Sequence, residues 1–208
     1  SWVDGLVPAD RTHSAFVVPS QVNYVGKGSN LYQDGYKYHG SASVASKLLG
    51  TTYLWDHIRV SGGAYGGFCS FNKLNGNFVY LSYRDPNLLE SLETYDRTGD
   101  FLREIAREIG LDELNKSIIG TMGDVDRYQL PDAKGSTSLT RHIVKDTDEA
   151  QQVRREQILS TKASDFLEFA DILDQSVRDN GVVSVVGMGD AIEKAKETYD
   201  LNVTTIVS

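Results

Sequence analysis

Alternating apolar and polar positions mark both ends of this chain, and a helical period of three to four residues fills its middle. Alternation at 14–18 and 21–25, split by Pro19, predicts two short strands, with Gly26, Gly28, Ser29 and Asn30 read as loop signals. Val44, Ala45, Leu48, Leu49, Leu54, Trp55 and Ile58 predict a helix over 41–58, with an unresolved join at Gly50. Two strands follow at 65–71 and 78–83, joined through Asn75-Gly76, a hairpin signal. Asp85 as N-cap and Pro86 as first helical residue predict a helix whose buried stripe runs from Leu88 to Ile109 and which Gly110 stops. Further helices are expected at 111–124, 136–144, 147–159, 164–178 and 190–198. Residues 127–135 read as a loop, and 182–186 and 203–207 as strands. Strands at both ends with consecutive helices between them imply an α+β class, with helices packed on one face of a largely antiparallel sheet. No long Pro, Gly or Ser linker interrupts the pattern, so 1–208 reads as one domain.

The stretch from Leu54 to Asp85 carries the most chemistry. A helix ending in Arg59 meets a Ser61-Gly62-Gly63 break and then a strand opening with Tyr65. A helix end and the first strand residue after a tight turn can aim a guanidinium and a phenol into one space. Both donate hydrogen bonds, as a peptide carbonyl or a developing oxyanion requires. The alternatives are an Arg59 paired with Asp56 or another acid, and a Tyr65 ring packed in the sheet. Gly62, Gly63, Gly66 and Gly67 fit either a backbone that must approach a substrate closely or a mobile loop.

Several consecutive runs carry a resemblance. They are Tyr53-Leu54-Trp55, Ile58-Arg59-Val60, Gly62-Gly63-Ala64-Tyr65-Gly66, Tyr83-Arg84-Asp85-Pro86-Asn87, Tyr95 through Leu102, and Gln129-Leu130-Pro131-Asp132-Ala133-Lys134-Gly135. Together they resemble the C-terminal half of the pitrilysin-type zinc metallopeptidases, in the presequence-protease branch that includes plant organellar presequence proteases and falcilysin. The resemblance implies a pitrilysin-type α+β domain, the last of four. It implies that Arg59 and Tyr65 reach across a chamber to the scissile peptide. Zinc, with the glutamate that activates water, would belong to the N-terminal half of the same protease. Unfolded peptides, notably cleaved targeting presequences, would be the substrates, in a mitochondrial matrix or plastid stroma. Lys134 would either face acidic groups or the C-terminus of a peptide, or cap a neighbouring helix. The alternative reading is a non-catalytic binding or assembly module that keeps the peptidase-domain fold.

Histidine spacing bears on where the metal sits. Family members hold zinc through an inverted His-x-x-Glu-His helix, whereas His13, His39, His57 and His142 are scattered singly and show no such pair. Zinc is therefore expected in the complete enzyme and not in this chain. Cys69, the single cysteine, excludes an intramolecular disulfide, and its place between Phe68 and Phe71 favours a buried, inert thiol over a nucleophile.

Composition adds limits. With 40% hydrophobic and 24% charged residues, the chain has the make-up of a folded domain, and no apolar run nears the length of a membrane span. The opening residues 1–14 show neither the apolar core of a secretory signal nor the Arg-rich character of a transit peptide. A net charge of −8 argues against nucleic-acid backbones and is compatible with basic peptides.

Three other features have two readings each. Gly187-Met188-Gly189-Asp190 is either the start of a phosphate-binding turn or a tight strand-to-helix connection capped by Asp190. Glu104, Glu108, Asp112 and Glu113 form either a solvated face or a metal cluster. Tyr24, Tyr32, Tyr36 and Tyr38 have the composition of an interaction surface.

Overall fold

The computed structural model describes residues 12–206. The reading of the chain's opening as neither signal nor transit peptide falls largely outside those residues, as does Val207 of the last expected strand. One six-stranded mixed sheet organises the rest, built from β1 (His13–Val17), β2 (Asn23–Asn30), β3 (Gly66–Phe71), β4 (Asn77–Asp85), β5 (Val182–Gly187) and β6 (Leu201–Thr205). Its order is β3-β4-β2-β5-β1-β6. The β3–β4, β4–β2 and β2–β5 pairs are antiparallel, while β1 pairs in parallel with both β5 and β6. The expected α+β class and largely antiparallel sheet hold.

Eight helices accompany the sheet among the described residues: α1 (Ser41–Leu48), α2 (Leu88–Asp96), α3 (Thr98–Glu108), α4 (Leu111–Val125), α5 (Pro131–Val144), α6 (Asp148–Leu159), α7 (Asp165–Leu173) and α8 (Gly189–Ala195). The strands turn Ala15, Val25, Phe78, Tyr80, Val183 and Val185 towards the helices, where all six are at most 1% exposed. Leu48, Leu54, Leu92, Leu102, Phe166 and Phe169 close the core from the helix side. The opposite sheet face leaves Tyr24, Phe68, Leu81 and Tyr83 exposed.

Four local expectations are corrected. Residues 26–30 are strand and not loop. Gly26 and Gly28 lie in register with Leu81 and Val79, and a Cβ on Gly28 would come within 2.6 Å of the Phe78 carbonyl oxygen. Glycine is there because the next strand is close, not because the chain turns. The helix expected from Pro86 to Ile109 is two helices, broken at Arg97. A Cβ on Gly99 would lie 2.3 Å from Asp174 Oδ1, and Thr98 Oγ1 is 2.6 Å from the buried Tyr80 hydroxyl, so the break fits the second helix against α7. Residues 131–135, expected as loop, form the first turn of α5 behind Pro131. Asp190 is not the cap of α8, whose N-cap is Met188. The Met188 N–H donates instead to Asn23 Oδ1 at 3.0 Å.

The join at Gly50 is not a break either. After α1 the chain continues in widened π-type turns, Leu49–Tyr53 and Trp55–Ser61. Thr51 and Thr52 hydroxyls donate to the Lys47 and Leu48 carbonyls at 2.8 and 2.6 Å, satisfying oxygens at the start of the widened stretch.

Candidate functional site

The helix that starts at Ser41 finishes in a tight turn. Gly62 is its C-cap, and a Cβ there would lie 2.7 Å from the Ile58 carbonyl oxygen. Gly63 adopts φ +77°, the left-handed conformation that glycine tolerates. Gly63 and Ala64 N–H groups return to the Arg59 and Ile58 carbonyls at 3.1 Å each, and Tyr65 N–H donates to the Tyr83 carbonyl at 3.0 Å. Chain direction thus reverses within a few residues, from the end of a helix into the edge strand β3.

That reversal brings Arg59 and Tyr65 together. The Arg59 guanidinium carbon lies 4.2 Å from the centroid of the Trp55 ring and 5.8 Å from that of Tyr65, a double cation–π arrangement. Tyr65 meets Tyr83 edge-on at 5.6 Å, and Tyr83 meets Tyr24 at 5.3 Å. Tyr65 is 64% exposed and Trp55 44%, so the cation and the phenol face solvent. No carboxylate among the described residues lies within ion-pair distance of Arg59, and most of the Tyr65 ring is left open to solvent beside Tyr83. The ion-pair alternative is not realised, and the Tyr65 ring meets the sheet only edge-on, at Tyr83.

The turn is held from behind by the segment after β4. Asn87 Nδ2 donates to the Gly62 carbonyl at 2.5 Å. The fully buried Asp85 carboxylate accepts from the Asn87 N–H at 2.8 Å and the Ser91 hydroxyl at 2.6 Å. Asn23 Nδ2 donates to the Asp85 carbonyl at 3.0 Å. Asp85 is thus not the N-cap expected of it: it is the last residue of β4, two positions before the N-cap Asn87, and Pro86 precedes the helix that begins at Leu88. The Asp85 carboxylate instead ties the Asn87 N–H and the Ser91 hydroxyl to the sheet. Below the turn, a Cβ on Gly67 would lie 2.7 Å from the Ile58 Cβ, so β3 rests directly on the helix that carries Arg59.

Gly66 is covered by the Phe68 ring, which a Cβ would meet at 2.5 Å. Three of the four glycines thus make room for their own chain, and Gly63 serves the turn. Lys134 lies on the exposed first turn of α5, and no described contact joins it to Arg59 or Tyr65. Trp55 and Asn87 are the participants that spacing did not single out. Trp55 lies four residues before Arg59, which is a helical-face signal, whereas nothing local marks Asn87 as the partner of Gly62.

Other candidates resolve as structure. Cys69 Sγ donates to the Ser46 carbonyl at 3.2 Å, and burial pushes its thiol up to about 12, which makes it unreactive. His13 Nδ1 accepts from the Val183 N–H at 3.0 Å. His39 Nδ1 lies 2.8 Å from the Ser41 hydroxyl at the start of α1, and His57 packs on Tyr53 at 4.4 Å. The Tyr-rich segment is not the interaction surface expected of it: Tyr32, Tyr36 and Tyr38 gather around Phe71 at 5.7 to 6.1 Å, and only Tyr24 joins the outer sheet face. Among the described residues no group of three or more His, Cys, Asp and Glu side chains converges as a metal site. Among the described residues no helix is long and apolar enough to cross a membrane.

Comparison with known proteins gives this arrangement a family. The profile described as PreP C-terminal domain matches residues 13–189. Presequence protease 1, chloroplastic/mitochondrial, of Arabidopsis thaliana is 54% identical over 195 residues, covering 94% of this chain and 18% of the relative. Protein HypA of Clostridium perfringens is 31% identical over 95% of this chain and 20% of its own length. The mitochondrial presequence protease of Saccharomyces cerevisiae is 30% identical over 88% and 18%. The chain therefore spans about a fifth of the length of these relatives. Among solved structures, pitrilysin superposes with a TM-score of 0.58 at 16% identity, over 93% of this chain and 22% of that one. An inactive peptidase domain from Pseudomonas fluorescens superposes with 0.58 at 13% identity, over 85% and 43%. The structural matches speak for the fold, and the sequence matches take in the Arg59–Tyr65 turn together with the Asp85–Asn87 segment that braces it: the chain belongs to the family of presequence-protease C-terminal domains.

Proposed function

We propose that this chain is the C-terminal, substrate-positioning domain of a zinc metalloendopeptidase that degrades unfolded peptides, cleaved organellar targeting presequences among them. The observation that carries the reading is the placement of Arg59 beside Tyr65 on an exposed, braced turn, both donors directed away from the core. When zinc is bound in the complete enzyme, by residues of the N-terminal half, it polarises the scissile carbonyl and lowers the pKa of the attacking water. The Tyr65 hydroxyl donates to the peptide carbonyl oxygen as that oxygen gains charge, and the Arg59 guanidinium holds the peptide beside it. Trp55 stacks on the guanidinium and limits the orientations it must lose on binding. Gly62 and Gly63 keep side chains out of the turn, so a peptide backbone can approach it. Lys134 offers a further cation to peptide acidic groups from α5.

A net charge of −8 supports attraction to basic peptides. The names of the Arabidopsis and yeast relatives, chloroplastic/mitochondrial and mitochondrial presequence proteases, support placement in mitochondria or plastids.

The test is made in the complete protease. Tyr65→Phe keeps the ring and removes one donor, and is expected to lower kcat by about 10²- to 10³-fold with Tm unchanged. Arg59→Lys keeps the charge but loses the planar fork, so KM should rise and kcat should fall. Near-normal turnover in a well-folded Tyr65→Phe enzyme overturns the assignment.

A further inference from the structure

Arg84 is held in a backbone conformation that its side chain disfavours. Its φ is +51°, in the left-handed region where Cβ crowds the following carbonyl. Only Lys145 shares a positive φ among the described non-glycine residues, and Lys145 simply closes α5 as its C-cap. Arg84 closes no helix. It lies in a bulge, where the register steps from Val25↔Ser82 to Asn23↔Asp85. Tyr83 and Arg84 together oppose the single residue Tyr24. Glycine would occupy that position without strain.

Among the described residues, none engages the Arg84 side chain. It is exposed, and among the described residues no carboxylate lies within ion-pair distance of it. The neighbours on both sides, by contrast, have partners: Tyr83 packs against Tyr24 and Tyr65, and the Asp85 carboxylate is buried in the network that holds the Gly62 turn. The β3–β4 register ends at Gly66↔Tyr83, and beyond it the Tyr65 N–H donates to the Tyr83 carbonyl, so Arg84 directly follows the residue that Tyr65 meets through both backbone and ring.

From the strained backbone, the unused guanidinium and the position next to Tyr83, on which Tyr65 rests, we infer that Arg84 is a substrate-positioning residue that takes a carboxylate of the bound peptide. This rests on the reading of Arg59 and Tyr65 as the peptide-holding pair. A planar fork matches a carboxylate with two parallel hydrogen bonds. The carboxylate comes from an acidic side chain or from the peptide's C-terminus. The bulge turns the chain where the peptide would pass, and the arginine is kept for its side chain against the preference of its backbone.

The experiment uses the complete protease with Arg84→Gly, which relaxes the backbone and deletes the guanidinium, and Arg84→Lys, which keeps only the charge. Four peptides of one parent sequence serve as substrates: an internal Glu or Gln, each with a free or an amidated C-terminus. Arg84→Gly is expected to keep or raise Tm and to lower kcat/KM about 10- to 100-fold on peptides bearing the recognised carboxylate. Peptides lacking that carboxylate should be cleaved at the wild-type rate, and Arg84→Lys should fall between. The Glu/Gln arm and the acid/amide arm identify the source. An equal loss on all four peptides, unchanged kinetics, or a fall in Tm without a carboxylate-dependent loss overturns the proposal. Tyr65→Phe is measured in parallel. Normal turnover there defeats the Arg59–Tyr65 reading, while the carboxylate dependence judges Arg84 separately.

Discussion

Lys27 occupies a β2 position that turns towards the core, and its side chain is only 3% exposed. Its ammonium donates to Asp96 Oδ1 at 2.5 Å and to the Arg178 carbonyl at 3.0 Å, and it lies 5.9 Å from the Tyr199 ring centroid. Burial holds the Asp96 carboxyl above its ordinary range even though Lys27 pulls it down. Desolvation thus outweighs attraction, and the pair adds little net stability while remaining costly to break. Asp96→Ala strands a buried cation and is expected to destabilise by about 3–5 kcal/mol. Lys27→Met combined with Asp96→Leu should recover most of that loss. Urea unfolding of the three proteins checks both statements, and a double variant no better than Asp96→Ala contradicts this account. This pair was illegible in the sequence because its partners are 69 residues apart and nothing local marks Lys27 as buried. Arg59 and Tyr65 were legible because one turn joins them. The brace from Asn87 to Gly62, across 25 residues, was not.

Elements were read correctly where hydrophobic period alone decides them, as in the β3–β4 hairpin and α7. They were misread where glycine has two meanings. At Gly26 and Gly28 it marks close strands, at Gly99 it marks a helix pressed on Asp174, and at Gly63 it marks a true turn. Only the neighbour across the contact distinguishes these, and the neighbour is distant in sequence. Gly67 shows how an element contact reaches the site. Its Cβ position is 2.7 Å from Ile58, and Ile58 directly precedes Arg59. Gly67→Val has no room against a residue that is itself 1% exposed, so β3 and the helix end must separate. The expected outcome is a loss of about 1–3 kcal/mol from overpacking. In the complete protease turnover should also fall, because Arg59 and Tyr65 lie on the two elements being pushed apart. Thermal unfolding and kcat on one preparation test this, and a stable, fully active variant refutes the coupling.

The whole sheet is closed by residues remote in sequence, and that sets how the domain comes apart. Both neighbours of β1 come from the far end of the chain: β5 pairs with it from Ser14↔Ser184 to Val17↔Gly187, and β6 from His13↔Leu201 to Val17↔Thr205. The hairpin that carries Tyr65 occupies the opposite edge of the same sheet. Such pairings form only after long loops have closed, so the domain should fold slowly and as one unit. Removing residues 199–208 deletes β6 and with it the parallel partner of β1, the 7% exposed Leu201 and the Tyr199 ring that packs against His13 at 5.9 Å. It leaves the backbone donors and acceptors of β1 unpaired along one edge. Because β1 then holds to the sheet through β5 alone, the loss should spread inward and not stop at the edge. Residues 1–198 are expected to show a broad thermal transition and a reduced unfolding enthalpy, against a single sharp transition for 1–208. Calorimetry of both chains decides the matter. A truncated chain that melts as sharply and at the same temperature would show that β6 is an ornament on a sheet already complete at β1, and that the site edge and the terminal edge are energetically independent.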